Sequence, residues 1–136
     1  MRIKHFSLPL AAQLFQAFSD EARLRIIHLL WRNGKMTPSD LELILDFSQS
    51  KTSRHLGYLR NAGIARANRI DQWVFYSMKE EVRGVVEQLL ALVKDPVLQQ
   101  DQKVYKTLFS NRELSLWKVE PRKREQFFLE EMKLNH

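Results

Sequence analysis

The apolar period of this chain switches from helical to alternating just after Gly63, and that switch constrains its fold more than any other feature. Before it, four short segments repeat apolar residues every three or four positions; after it, residues 64–69 alternate and Trp73-Val74-Phe75-Tyr76 are all β-formers. The spacing predicts a first helix from residue 8 or 9 to about 18, with Pro9 in its first turn and Leu10, Leu14, Ala17 and Phe18 at helical intervals. Ser19 and Asp20 can cap a second helix, which carries Leu24, Ile27, His28 and Trp31 on one side and stops at Asn33-Gly34. Thr37 or Ser39 caps a third, with Pro38 near its start and Leu41, Ile44 and Leu45 inward. A few residues later Ser48 caps a fourth, which runs to about residue 61 and is ended by Gly63. The alternating segments then form a β-hairpin with a basic first strand and a turn at Ile70-Asp71-Gln72 that lacks glycine.

A fifth helix is expected over 79–94, with Val82, Val85, Val86, Leu89, Leu90 and Val93 on a wide apolar face, broken at Asp95-Pro96. Beyond it, 97 to about 110 and 121 to about 134 read as helices flanking an irregular Leu114-Ser115-Leu116-Trp117 patch. At 136 residues the chain is one domain with an appendage, divided as 1–94 and a helical extension over 95–136.

Composition removes several chemistries. With no cysteine there is no disulfide, no thiolate metal site and no thiol switch, and no apolar run approaches the ~20 residues needed to span a bilayer. Arg2, Lys4 and His5 precede an apolar stretch that mimics a leader, but Gln13 and Gln16 interrupt it, so a cytoplasmic protein is expected. Glycine-rich phosphate loops, a Gly-x-Ser-x-Gly elbow and a His-Glu-x-x-His pair are all missing, which points away from an enzyme and from any cofactor.

The charge is uneven. Residues 1–78 hold eleven Lys and Arg against six Asp and Glu, a net of +5; residues 79–136 hold eleven against ten, a net of +1. No acidic residue lies between Asp46 and Asp71, while Lys51, Arg54, Arg60, Arg66 and Arg69 all do, so the field favours a polyanionic partner.

Three short helices followed by a hairpin is the order of a winged helix-turn-helix, a mainly α fold with a two-stranded β-wing and here with extra C-terminal helices. If Thr52, Leu56 and Leu59 face inward, the fourth helix turns Gln49, Ser50, Lys51, Ser53, Arg54 and Tyr58 outward. Gln and Arg can bond base edges bidentately, Ser donates or accepts, and Lys neutralises phosphate, so the expected partner is double-stranded DNA. Arg66 and Arg69, expected near the hairpin tip, would reach backbone or a flanking minor groove. His55 either donates to a phosphate or packs against the second helix.

The segments 14–27, Gln49-Ser50-Lys51-Thr52-Ser53-Arg54-His55-Leu56 within 47–64, and Gln72-Trp73-Val74-Phe75-Tyr76 resemble the ArsR/SmtB-type winged-helix transcriptional repressors. The resemblance covers roughly half the chain and implies a homodimer on a palindromic operator. It implies base reading by Gln49, Ser50, Ser53 and Arg54, and a dimer interface built from the first helix, with Leu10 and Leu14, and from the helix carrying Val82, Val86, Leu89, Leu90 and Val93. Members that sense metal or arsenic carry a Cys-x-Cys box on the third helix, where this chain has Lys35-Met36-Thr37-Pro38-Ser39-Asp40-Leu41; others bind zinc with Asp/His pairs after the wing, and 79–94 contains no His. Metal response at those sites is therefore not expected. The usual glycine of the wing turn is replaced by Asp71.

Rival readings are a winged-helix module that meets an acidic protein and a non-specific architectural DNA binder. The effector could be a small apolar molecule, a protein or nothing. The run Arg122-Lys123-Arg124, surrounded by glutamates, reads as an exposed salt-bridged helix docked through Phe127, Phe128 and Met132. Trp117 with its leucines reads as packing, as does His28, a structural histidine with its hydrogen bonds satisfied; His5 and His136 are scattered.

Overall fold

The computed structural model describes residues 5–109. The elements run α1 (Leu8–Phe18), α2 (Glu21–Asn33), α3 (Pro38–Leu45), α4 (Gln49–Asn61), β1 (Ala65–Ile70), β2 (Trp73–Met78), α5 (Glu80–Ala91) and α6 (Pro96–Leu108). The expected helix over 121–134, its basic run and the Trp117 patch lie outside the described residues.

Every helix start but that of α5, whose Lys79 makes no side-chain cap bond, follows from a local hydrogen bond. The Ser7 hydroxyl accepts from the Leu10 amide, the Asp20 carboxylate from Arg23 at 3.0 Å, the Ser48 hydroxyl from Lys51 at 3.1 Å and the Asp95 carboxylate from Val97 at 2.8 Å. For α3 it is Thr37, not Ser39, that caps, in a reciprocal box with Asp40: the Asp40 amide donates to the Thr37 hydroxyl and the Thr37 amide to the Asp40 carboxylate. α5 ends at Ala91, short of the expected Lys94: the Leu92 and Val93 amides bond three residues back, to Leu89 and Leu90, and Pro96 at the start of α6 holds its predecessor, Asp95, in extended backbone.

The centre of the molecule is α2, whose Ile26, Ile27, Leu29 and Leu30 are all buried and which touches α1, α4, α5, α6 and β2. Because α1 and α5 turn their apolar sides onto α2, four residues expected at a dimer interface are already in this subunit's own core: Leu14, Val82, Val86 and Leu90. Leu10 and Leu89 are half-buried, and of the seven only Val93 is exposed. Among the described residues the large apolar side chains left in solvent are Leu8 (84%), Phe15, Leu92 (81%), Val93 and Val97.

α6 packs on α2 and α3 and contributes Leu108 to the same core. Two polar clamps hold it to α2. The Arg25 guanidinium grips both oxygens of Asp101 at 2.9 and 2.8 Å, and the Asn33 and Gln102 amides bond each other reciprocally at 2.9 Å. His28 is buried as expected, but its Nδ1 has no hydrogen-bond partner among the described residues, and burial lowers its pKa below the usual imidazole value. No helix among the described residues is long and apolar enough to cross a membrane.

Candidate nucleic-acid interface

The presentation of α4 starts in the loop before it. Asp46 ends α3 in the left-handed conformation (φ 58°), a backbone region Asp tolerates better than most residues, and the chain turns through Phe47 to the Ser48 cap. The Thr52 hydroxyl donates back to the Ser48 carbonyl at 2.9 Å, so this buried polar group costs little. Thr52, Leu56 and Leu59 are fully buried, which turns Gln49, Ser50, Ser53 and Arg54 into solvent, as the spacing predicts.

Three residues of the predicted set behave differently. His55 is only 7% exposed and faces Asp20, the cap of α2, at 4.0 Å. It follows Thr52 by three positions and precedes Leu59 by four, so it shares their buried side, and the packing alternative holds over a phosphate contact. Burial lowers its pKa; Asp20 opposes that shift, while Arg54, Arg23 and Lys51 reinforce it. The neutral ring makes no ion pair with Asp20, whose own pKa is lowered chiefly by the Arg23 amide. Tyr58 is half-buried beneath Arg23, whose guanidinium sits 4.0 Å from the ring centroid and whose Nε donates to the Ala17 carbonyl at 2.9 Å. Lys51 is half-buried too, with Nζ 4.1 Å from the centre of the Phe47 ring.

The wing is a six-pair ribbon from Ala65↔Met78 to Ile70↔Trp73, closed by Asp71 and Gln72. Asp71 takes a positive φ of 55°, so the missing glycine is accommodated at a residue type that visits this region. Met36 adds a bridge to β2, exchanging both backbone hydrogen bonds with Tyr76, a pairing with no period in the sequence to signal it. Arg66 and Arg69 are both exposed but are three residues apart on an alternating strand, and so lie on opposite faces. Arg69, opposite Val74, is next to the last pair before the turn; Arg66, opposite Ser77, is at the base, not near the tip as expected.

Between α4 and the wing runs a groove of about 470 Å³, lined by Gln49 and Ser53 of α4, by Gln72, Trp73, Val74 and Tyr76 of the wing and by Glu42 of α3 among others. Val74 and Tyr76 belong to the ribbon face that carries Arg69. Gln72 and Trp73 were not among the expected contact residues, although a Trp beside a two-residue turn, half-exposed on a short ribbon, is a signal of a contact surface.

A helix-turn-helix over α3 and α4, followed by a basic ribbon that shares a groove with the second helix, defines a winged helix-turn-helix protein. The profile of the bacterial regulatory proteins of the arsR family matches residues 20–67. The arsenic resistance transcriptional regulator ArsR1 of Pseudomonas putida is 39% identical over 82 residues, which are 60% of this chain and 64% of that protein. The arsenical resistance operon repressor of Bacillus subtilis is 34% identical over 60% of this chain and 78% of its own length. Among solved structures, HlyU from Vibrio cholerae superposes with a TM-score of 0.57 at 34% identity, over 62% of this chain and 91% of that one. The chain belongs to the ArsR family. It spans about 64% of the length of the Pseudomonas relative and of the Escherichia coli arsenical resistance operon repressor.

Proposed function

We propose that this protein is a sequence-specific, double-stranded-DNA-binding transcriptional repressor that acts as a homodimer on a palindromic operator. The observation that carries the reading is the outward face of α4: Gln49, Ser50, Ser53 and Arg54 are exposed side by side, within a stretch that has no acidic residue from Asp46 to Asp71. The relatives named as resistance regulators and operon repressors support it. In this reading α4 enters the major groove, where Arg54 and Gln49 bond base edges bidentately and the serines add single hydrogen bonds. Lys51 and Arg69 neutralise phosphates and supply the salt-dependent part of the affinity, whereas Arg66, at the base of the ribbon and on its opposite face, does not. Exposed Leu8 and Phe15 on α1 and Leu92 and Val93 after α5 support a two-fold contact there, which would place two α4 helices about one turn of DNA apart.

A third helix without cysteine, in a chain that has none, supports a regulator that does not respond to thiolate-bound metal at that helix. Selection of bound genomic fragments is expected to recover an inverted repeat. On that duplex Arg54→Ala is expected to cost about 1–3 kcal/mol and to relax the preference at one base pair of each half-site. Binding without any enriched motif would reduce the protein to an architectural binder, and no binding at low salt would leave the protein-interaction module.

A further inference from the structure

We propose that Asp101, on α6, is a positioning residue for the DNA-contacting start of α4. By gripping Arg25 it holds that guanidinium against Phe47, and the Phe47 ring in turn seats Lys51. The proposal rests on the reading of Lys51 as a phosphate contact, and it gives α6, which lies beyond the matched family segment at 20–67, a role in that contact.

The chain of contacts is continuous. Both oxygens of Asp101, whose side chain is 4% exposed, bond Nε and a terminal nitrogen of Arg25. A bidentate grip of this kind fixes the plane of the guanidinium as well as its position. The Arg25 Cζ then sits 5.3 Å from the centre of the Phe47 ring, and Lys51 Nζ sits 4.1 Å from the same centre. Phe47 immediately precedes the Ser48 cap, and Lys51 is in the first turn of α4. A cation there is disfavoured by the helix dipole, so the ammonium needs another partner, and the ring supplies it. Without Asp101, Arg25 would have Glu21, one turn back on α2, as its nearest alternative on the same helix. The ring would lose one neighbour and the lysine its defined seat.

The second clamp of α6 makes the idea testable. The Asn33–Gln102 pair ties the same two helices but touches neither Phe47 nor Lys51. The full chain would be compared as wild type, Asp101→Asn, Arg25→Lys and Gln102→Ala. Two readouts are used: the NMR shifts of the Lys51 ε-methylene protons, and the affinity for a fluorescein-labelled 30-base-pair duplex of random sequence. Ring current from Phe47 is expected to move the wild-type Lys51 signals upfield. Asp101→Asn and Arg25→Lys, the latter keeping the charge but not the fork, are expected to bring them back towards free-lysine values and to weaken the duplex roughly threefold, the scale of one cation–π contact. Gln102→Ala is expected to do neither, and Asp101→Asn is expected to add nothing on a Lys51→Ala background. Unmoved Lys51 signals in Asp101→Asn, or equal effects of Asp101→Asn and Gln102→Ala, would overturn the proposal. Signals that move while Lys51→Ala leaves duplex affinity intact would support the positioning and overturn the phosphate role of Lys51.

Discussion

The two wing arginines offer a sharp test, because the register separates residues that the sequence alone pairs. Arg69 shares a ribbon face with Val74 and Tyr76, which line the groove beside Gln49 and Ser53; Arg66 is on the other face, which gives the groove only Trp73 at the tip, and is four pairs from the turn. In the proposed reading, DNA that follows α4 into the major groove is expected to meet Arg69. Each phosphate neutralised contributes about 0.9 to the slope of log affinity against log salt, so removal of Arg69 from both subunits of a dimer is expected to flatten the slope by about 1.8. Over a fourfold rise in salt, that slope difference amounts to roughly twelvefold in affinity that the wild type loses and Arg69→Ala does not. Arg66→Ala is expected to leave the slope within about 0.5 of wild type. The assay is fluorescence anisotropy on a labelled duplex at several salt concentrations. Equal slopes for the two variants, or a larger change for Arg66→Ala, would refute the assignment of faces to the wing.

Leu56 is fully buried on the inward side of α4, so Leu56→Ala is expected to cost about 2–5 kcal/mol of stability, read from urea unfolding; a loss below about 1 kcal/mol would mean the helix is not packed as described. His28 and His55 are held neutral by burial, with folded pKa values below the unfolded value near 6.5. The unfolded chain then takes up protons first on acidification. Stability from these residues is thus complete above about pH 6.5 and is lost as the pH falls through their lowered folded values. Unfolding free energies measured from pH 8 downwards are expected to be flat and then to fall, with a smaller fall in His55→Gln; stability that rises on acidification across that window would contradict the burial of both rings.

Much of the fold is legible in the residues themselves. The caps are local: Ser48 and Lys51, or Thr37 and Asp40, are three apart, and their hydrogen bonds form wherever the chain turns into a helix. The outward set on α4 is local too, since Thr52, Leu56 and Leu59 define a stripe whose reverse side has to be polar. The site was less legible where distant elements decide. His55 shares the buried side of Thr52 and Leu59 by spacing, but only the packing of α2 on α4 brings it within 4.0 Å of Asp20, thirty-five positions away. Tyr58 is outward by spacing and becomes half-covered only because Arg23 lies across its ring.

The interface residues illustrate the same divide. An apolar face from Val82 to Val93 says that something must cover it but not what, because burial against one's own subunit and burial against a partner select the same side chains. The packing of α1 and α5 on α2 assigns Leu14, Val82, Val86 and Leu90 to the subunit and leaves Leu8, Phe15, Leu92 and Val93 outside. The order of residues by itself determined which helices and wing form and roughly where they lie, which side of α4 is polar and where the positive charge gathers, since all of these are set by neighbours within a turn or two. Tertiary contact alone decided which wing arginine shares a ribbon face with Val74 and Tyr76, which cations sit over Phe47 and how α6 is bound to α2, because those depend on the register of one strand against another and on pairs such as Arg25 and Asp101, seventy-six residues apart.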